Sequence, residues 1–596
     1  MPAPQSATRP ATAPAGTMTA PGPRAVVGIR PSGDRAALVE LDSLGAVLSL
    51  AGQLAGEPLP GLLDVVPAAT TVLVTADSPE HLTAIVRRVR SLDLASGERR
   101  AGELVVIETV YDGADVDEVA ALTGLSREGV VAAHSGQVWD AAFGGFAPGF
   151  AYLAGDGALD VPRRPSPRTA VPAGAVALAG TYSAVYPRES PGGWQLIGRT
   201  SAAMWDLERE SPALIRPGDQ VRFKPVRDAV ALAEPAARVP EHAEGDAPSS
   251  ADAGLVVVSP GLQCTVQDLG RPGLAALGVG AAGAADRASL RRANRIVGNP
   301  EGAAALEALL GGLTLRAARD HVLAVTGTRV PLRISPAAPA GGTGTDDGAR
   351  SPSGGERRPP LDAPFALLTG ETLTLGTPTA GLRSYVAVRG GLDAPEALGS
   401  RAADTLSGIG PKPLRPGIAL AVLPVRGAHV VGAPEVPPLL EEGVATLRVV
   451  PGPRDDWFTD SALRDFLTSE WTVTQQSNRV GLRLEGPRLE RRRDGELASE
   501  GTVLGSVQVP PNGQPVLFLA DHPVTGGYPV IAVVVDADLD RAGQLPPGAR
   551  VRFAAAPAAD SPPDSATPPS SATPPDASNP PRFTLPPAQP QGTTHA

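Results

Sequence analysis

PGDQVRF at 217–223 and PGARVRF at 547–553 agree at five of seven positions: Pro217/Pro547, Gly218/Gly548, Val221/Val551, Arg222/Arg552 and Phe223/Phe553. Each reads as a turn running into a strand, because Pro-Gly fixes a bend and the alternation after it suits a half-buried β-strand. A second parallel precedes them. VPAGAVALAG (171–180) leads to Tyr186-Pro187, as VPPNGQPVLFLAD (509–521) leads to Tyr528-Pro529. One β fold present twice is the simplest account; generic turn-then-strand chemistry is the competing one.

Outward from these segments, composition agrees with a β fold. The 596 residues are 42% hydrophobic and only 4% aromatic, with 68 Gly and 65 Pro, which favours turn-rich β structure over helical bundles. Short strands are expected at 25–27, 36–41 and 71–74, and helices at 81–92, 116–123 and 126–135. DRASLRRANRIVG (286–298) is a further helix, with Asp286 as N-cap and Gly298 as C-cap. The expected fold class is α+β, mainly β, with a barrel in each half.

Pro-rich, polar stretches divide the chain. Residues 1–24 and 555–596 are expected to be disordered, 227–253 to link two domains at 25–226 and 254–554, and 336–360 to be a disordered insert in the second. The net charge of −11 comes without a dense basic block, which disfavours nucleic acid. The single cysteine, Cys264, excludes an internal disulfide and a multi-cysteine zinc site, and fits a reducing cytosol. No apolar run approaches membrane-spanning length and no signal peptide is evident, so a cytoplasmic protein without membrane contact is expected.

Familiar catalytic signatures are missing: no GxxxxGK[ST], no GxGxxG after a strand, no HExxH and no GxSxG is found. The methionines are Met1, Met18 and Met204, so the usual Met-Lys-Met biotin site is absent and no covalently bound biotin is expected. Glycine-rich segments studded with polar residues stand out instead, since glycines let backbone N–H groups approach an anion. In the first half, Arg168 and Arg199 are candidate carboxylate clamps, Tyr186 and Trp194 candidate pocket walls, and His134 the candidate base. Core and loop roles compete for each. In the second half Gln267, Asp268, Arg271 and Asp286 alternate with glycines; both aspartates are candidate acids or bases, against turn and N-cap roles. Further on, Arg479, Gln508, Asp521, Thr525 and Tyr528 are candidates, with Gly526 and Gly527 an anion nest or a plain hairpin turn.

FAPGFAYL (146–153), SPRTAVPAGAVALAG (166–180) and YPRESPGGWQLIGRT (186–200) resemble the B-component family of 5-oxoprolinase, KipI-like or allophanate hydrolase subunit 1. TVQDLGRPG (265–273), ADRASLRRANRIVGN (285–299), SNRVGLRLEG (477–486), SEGTVLGSVQVPPNGQP (499–515) and TGGYPVIAVV (525–534) resemble the C-component family, KipA-like or biotin-dependent carboxyltransferase. The chain is thus similar to a natural B–C fusion. The resemblance implies tandem cyclophilin-like β-barrels of the carboxyltransferase-module type, subdomains C and D in the first half and A and B in the second. It also implies ATP-dependent cleavage of 5-oxo-L-proline to L-glutamate with a separate A component of the LamB/YcsF type, ATP arriving with Mg2+. Two alternatives go with it: carboxyl transfer from carboxybiotin to urea or a related amide, and regulation of a histidine kinase. A homo-oligomer stays open. This chain departs from the family's pattern at Tyr182, Ser183 and Ala184, where relatives read Gln-Thr-Gly, at Pro523, Val524 and Thr525, where they read Gln-Thr-Thr, and at Ala285, where Met is common.

Overall fold

The computed structural model describes residues 25–94, 102–164, 166, 168–227, 254–337, 355–425, 430–436, 443–493, 495 and 497–557. The expected disordered ends and linker lie outside these, apart from 227 and 555–557. Of the run 336–360, residues 336–337 and 355–360 are described, and there the Arg357 backbone pairs with Ile334 while its guanidinium meets Glu371. That stretch of the expected insert is a sheet edge.

The repeated PGxxVRF segments do the same work in two barrels. Gln220–Pro225 runs parallel to Leu104–Thr109 and antiparallel to Trp139–Gly144, with Val221 opposite Trp139. Arg550–Ala555 runs parallel to Val444–Pro451 and antiparallel to Trp471–Val473, with Val551 opposite Trp471. Each parallel pair needs a long crossover, and the rest of its barrel supplies it. The second copy is a closed seven-stranded barrel, and the first is a seven-stranded sheet whose two edge strands meet through the bridge between Val110 and Arg199.

A four-stranded antiparallel sheet, in the order Val26–Pro31, Ala36–Leu41, Thr71–Ala76, Leu62–Pro67, precedes the first barrel. Helices Leu44–Gly56 and Pro79–Ser91 cover one face, burying Val47, Leu50 and Ile85 against Val39, Val72 and Val74. The other face carries Leu38, Val66 and Leu73 and packs on Val524 of the second half. Both faces being covered explains why AALVEL and TVLVTA show no clean alternation. Ahead of the second barrel, a six-stranded and a five-stranded sheet enclose a large apolar core. Helix Arg287–Val297 lies outside them, capped as expected: the Asp286 carboxylate accepts from Ser289 N at 2.8 Å and Gly298 takes φ 73°.

The two halves form one seam. Asp64 accepts from Gly273 N at 2.9 Å and Ala275 N at 3.0 Å, and Arg454 bridges Glu500 and Glu40. At Gly144 the backbones approach so closely that a Cβ would collide with the Ala276 carbonyl oxygen. No described helix is long and apolar enough to cross a membrane.

Candidate functional site

The duplication decides what His134 is. Trp139 Nε1 donates to the His134 carbonyl at 2.9 Å, and in the second copy Trp471 Nε1 donates to the Phe466 carbonyl at 3.2 Å. The His134 ring packs on Phe223 at 4.3 Å between centroids, and Phe466 packs on Phe553 at 4.4 Å. His134 therefore occupies the place of a core phenylalanine. It is fully buried, both ring nitrogens are taken by Tyr111 Oη (2.7 Å) and Ser183 Oγ (2.8 Å), and burial lowers its pKa to about 3. A neutral imidazole sealed from solvent cannot serve a substrate, so the candidate base is a core residue. A protein that must keep His134 neutral loses stability as pH falls below about 6.5, where the unfolded chain takes up the proton and the folded one does not. His134→Phe will therefore flatten the acid side of the stability profile by about 1.4 kcal/mol per pH unit between roughly pH 6 and 4. Urea denaturation at several pH values checks this, and an unchanged slope would mean that His134 charges in place.

The other first-half candidates disperse. Arg168 and Arg164 each reach Asp115 Oδ1 at 2.7 Å, and Leu196 N donates to Oδ2 at 2.7 Å. Burial alone would raise the Asp115 pKa, but these partners hold it below the ordinary value, which makes the cluster an anchor for its loops. Tyr186 and Trp194 pack on Phe150 at 5.4 and 5.6 Å inside an aromatic core. Arg199 is exposed beside Asp112.

Among second-half candidates, Asp268 pins a turn by accepting from Gly270 N, Ser400 Oγ and Arg401 N. Asp286 is the N-cap, and Gln267 bonds Thr265 and Ala403. Gln508 donates to the Tyr528 carbonyl, and Thr525–Gly526 pairs antiparallel with the distant Glu500–Gly501, so Gly526 lies in a short two-stranded ladder and not in a hairpin turn, with Gly527 and exposed Tyr528 after it. Arg479 and Asp521 do meet. Arg479 Nε and Nη2 grip both Asp521 oxygens at 2.9 and 2.8 Å, while its Nη1 reaches Glu307 of the preceding subdomain. Thr405 N and Oγ1 donate to Asp521 Oδ2 at 2.9 and 2.6 Å, which ties the loop 404–407 to this pair.

That loop forms one wall of a recess on the seam. Phe146 and Pro148 come from the turn after Trp139–Gly144, Arg188 from the turn after Tyr182–Val185, Gly278 and Gly280 from the glycine-rich run, and Asp404, Leu406, Ser407, His522, Pro523 and Val524 from the second half. Asp404 accepts from Leu406 N and Ser407 N at 2.8 and 3.0 Å and from Ser407 Oγ at 2.5 Å, yet burial, helped by the Asp521 charge, raises its pKa. Arg188 is half-buried, is influenced electrostatically by Asp404, and its Nε has no hydrogen-bond partner among the described residues. Arg271, outside this lining but within electrostatic reach of Asp404, is buried; its guanidinium holds the Ala397 and Ala402 carbonyls, and Nη1 has no partner among the described residues. A guanidinium donor left unpaired on the recess wall, that of Arg188, suits an anionic group, carboxylate or phosphate. No group of three or more His, Cys, Asp or Glu able to hold a metal occurs among the described residues.

Sequence reasoning missed Arg188, Asp404, Ser407 and His522. Arg188 lies in the quoted YPRESPGGWQLIGRT, where Arg199 is the more conspicuous arginine, and His522 follows the singled-out Asp521. An arginine beside Pro in a Gly-rich turn is the available signal.

A family model described as carboxyltransferase domain, subdomain C and D, matches residues 27–215, and one described as subdomain A and B matches 277–555. The chain is 37% identical over 305 residues to the C component of 5-oxoprolinase from Escherichia coli strain K12, covering 50% of this chain and 90% of that protein. It is 40% identical over 178 residues to the B component of 5-oxoprolinase from Escherichia coli O157:H7, covering 29% and 82% respectively. The crystal structure of TTHA0988 superposes with a TM-score of 0.74 at 36% identity, covering 87% of this chain and 99% of that one.

Proposed function

The chain belongs to the carboxyltransferase-domain family, carrying subdomains C and D ahead of A and B in one polypeptide, and on that premise we propose that it is the fused B and C component of an ATP-dependent 5-oxoprolinase. The observation that carries the reading is the place of the recess. Arg188 comes from the B-like half, Asp404 and His522 from the C-like half, and the pocket exists only where the halves meet. In the structure the recess holds only about 10 Å³, the room of one water, so a cyclic amide bearing a carboxylate enters it by parting the seam: Arg188 then faces the anion, and the apolar Phe146, Pro148 and Val524 lie against the ring. ATP supplies the activation that a stable lactam carbonyl needs, and this chain's part is to bind and orient the lactam. Pro523 and Val524, where the family's Gln-Thr-Thr is replaced, line the same recess, so the change bears on substrate fit.

The test is release of glutamate from 5-oxo-L-proline and ATP by the purified chain alone and by the chain co-expressed with a LamB/YcsF-type partner. Release by the pair only is expected. An assembled pair without release would overturn the reading and turn attention to carboxyl transfer onto urea or a related amide.

A further inference from the structure

The His522 ring has a fixed tautomer and one open nitrogen. Its Nδ1 lies 2.9 Å from the Pro523 carbonyl oxygen, which can only accept, so Nδ1 carries the hydrogen. Nε2 is then a bare lone pair, and no described residue bonds it. The ring stacks on Phe518, centroids 5.8 Å apart at 12°, which fixes its plane while it lines the seam recess. The contrast with His134, whose two nitrogens are both taken, is direct.

Resting on the reading of the recess as the lactam site, we infer that His522 is the general base of this site, taking a proton from the water that attacks the cyclic amide. The bookkeeping is that of hydrolysis. With the carbonyl oxygen phosphorylated by ATP, the attacking water's oxygen bonds to the carbonyl carbon and its proton goes to Nε2; when the ring C–N bond breaks, its electron pair stays on nitrogen, which takes that proton, and the acyl phosphate so formed passes its phosphoryl group to a second water as inorganic phosphate. His522 ends as it began, and the lactam becomes a carboxylate and an amine. Burial lowers the His522 pKa, which keeps it neutral and competent at neutral pH. The charged groups about it are Asp521 alongside, Asp404 and Arg188 across the recess and Arg271 within electrostatic reach of Asp404. Activity depending on the neutral ring is lost as pH falls through the pKa of the base.

The experiment compares the wild-type complex, the chain with its A component, with H522Q, H522A and D404N complexes on 5-oxo-L-proline and ATP. H522Q is expected to lose about 10²–10⁴-fold in kcat with KM changed little. H522A is expected to recover activity with added imidazole, which a purely structural defect would not do. D404N removes the other group that titrates in the recess. If the acidic limb of the pH profile vanishes in D404N and persists in H522Q, the assignment is overturned. It is overturned equally if H522Q retains activity within threefold, or if H522A folds with an unchanged melting temperature and imidazole restores nothing. A poorly folded H522Q leaves the decision to imidazole rescue of H522A. An inactive wild-type complex removes the lactam reading itself, and this inference with it, whatever the variants do.

Discussion

Arg479→Ala destabilises the second half by about 3–5 kcal/mol, the range expected when one member of a buried ion pair is removed. The midpoint of urea denaturation, followed by tryptophan fluorescence, reads the loss. Arg479 is 4% exposed and neutralises two carboxylates at once, Asp521 at the edge of its own barrel and Glu307 on the strand Ala305–Leu309 of the preceding subdomain. It also donates to the Gly283 carbonyl at 2.6 Å. Truncation leaves Asp521 buried without its cation and Glu307 with Arg383 alone, and water cannot reach them to compensate. Burial would raise the Glu307 pKa, but Arg479 and Arg383 outweigh it and hold it below the ordinary value. A depressed carboxylate stabilises the fold above its unfolded pKa of about 4.3, and that contribution is lost as pH falls through the lower folded value. The gap between wild type and variant is therefore widest near neutrality and narrows below about pH 4, where protonated acids no longer need the guanidinium. Arg479→Lys retains a charge but not the three-sided grip, and falls between the two. A loss under about 1 kcal/mol at pH 7 would show that the carboxylates find other partners.

What the sequence discloses follows the range of the interactions. The strand after each PG turn, the cap at Asp286 and the stop at Gly298 are settled within a few residues, and all stand where the pattern puts them. Helix Leu44–Gly56 is harder to read: LGAVLSLAGQLAG has small apolar residues nearly all round and no polar stripe to set a period, although Ser43 caps it. His134 shares a face with Val130 on Arg127–Gly136, which periodicity can indicate, but only the second copy shows that the equivalent residue is phenylalanine. The recess is out of reach for a different reason. Its lining comes from residues near 146, 188, 279, 405 and 523, segments that no local pattern connects. Arg168 and Arg188 are chemically alike in sequence. In the fold Arg168 has Asp115, 53 residues away, while Arg188 brings an Nε without a described partner to the seam, and neither outcome is written in the residues next to them.

Arg188→Ala should lower kcat/KM of the reconstituted complex on 5-oxo-L-proline by about two to three orders of magnitude, since a desolvated anion left without its partner loses a charge-assisted bond worth roughly 2–5 kcal/mol. The effect should fall mainly on KM, because an anion clamp holds ground state and transition state alike. Stability should change little: Nε bonds no described residue, and burial opposes the charge, with the Asp404 field in its favour. Removing an arginine that is desolvated for a ligand relieves a cost in the free protein. Arg271→Ala is the instructive opposite. Its guanidinium supports the carbonyls of Ala397 and Ala402, so that substitution should lower the melting temperature together with activity. An Arg188→Ala complex with unchanged KM would mean that the substrate's carboxylate lies elsewhere. Loss of melting temperature in place of affinity would make Arg188 a strut of the seam. The clean separation, affinity lost at one arginine and stability at the other, follows only if the meeting of the two halves builds the anion site, because among the described residues Arg188 is the cation that the first half brings to the recess wall, while Asp404 and His522 wait on the other side.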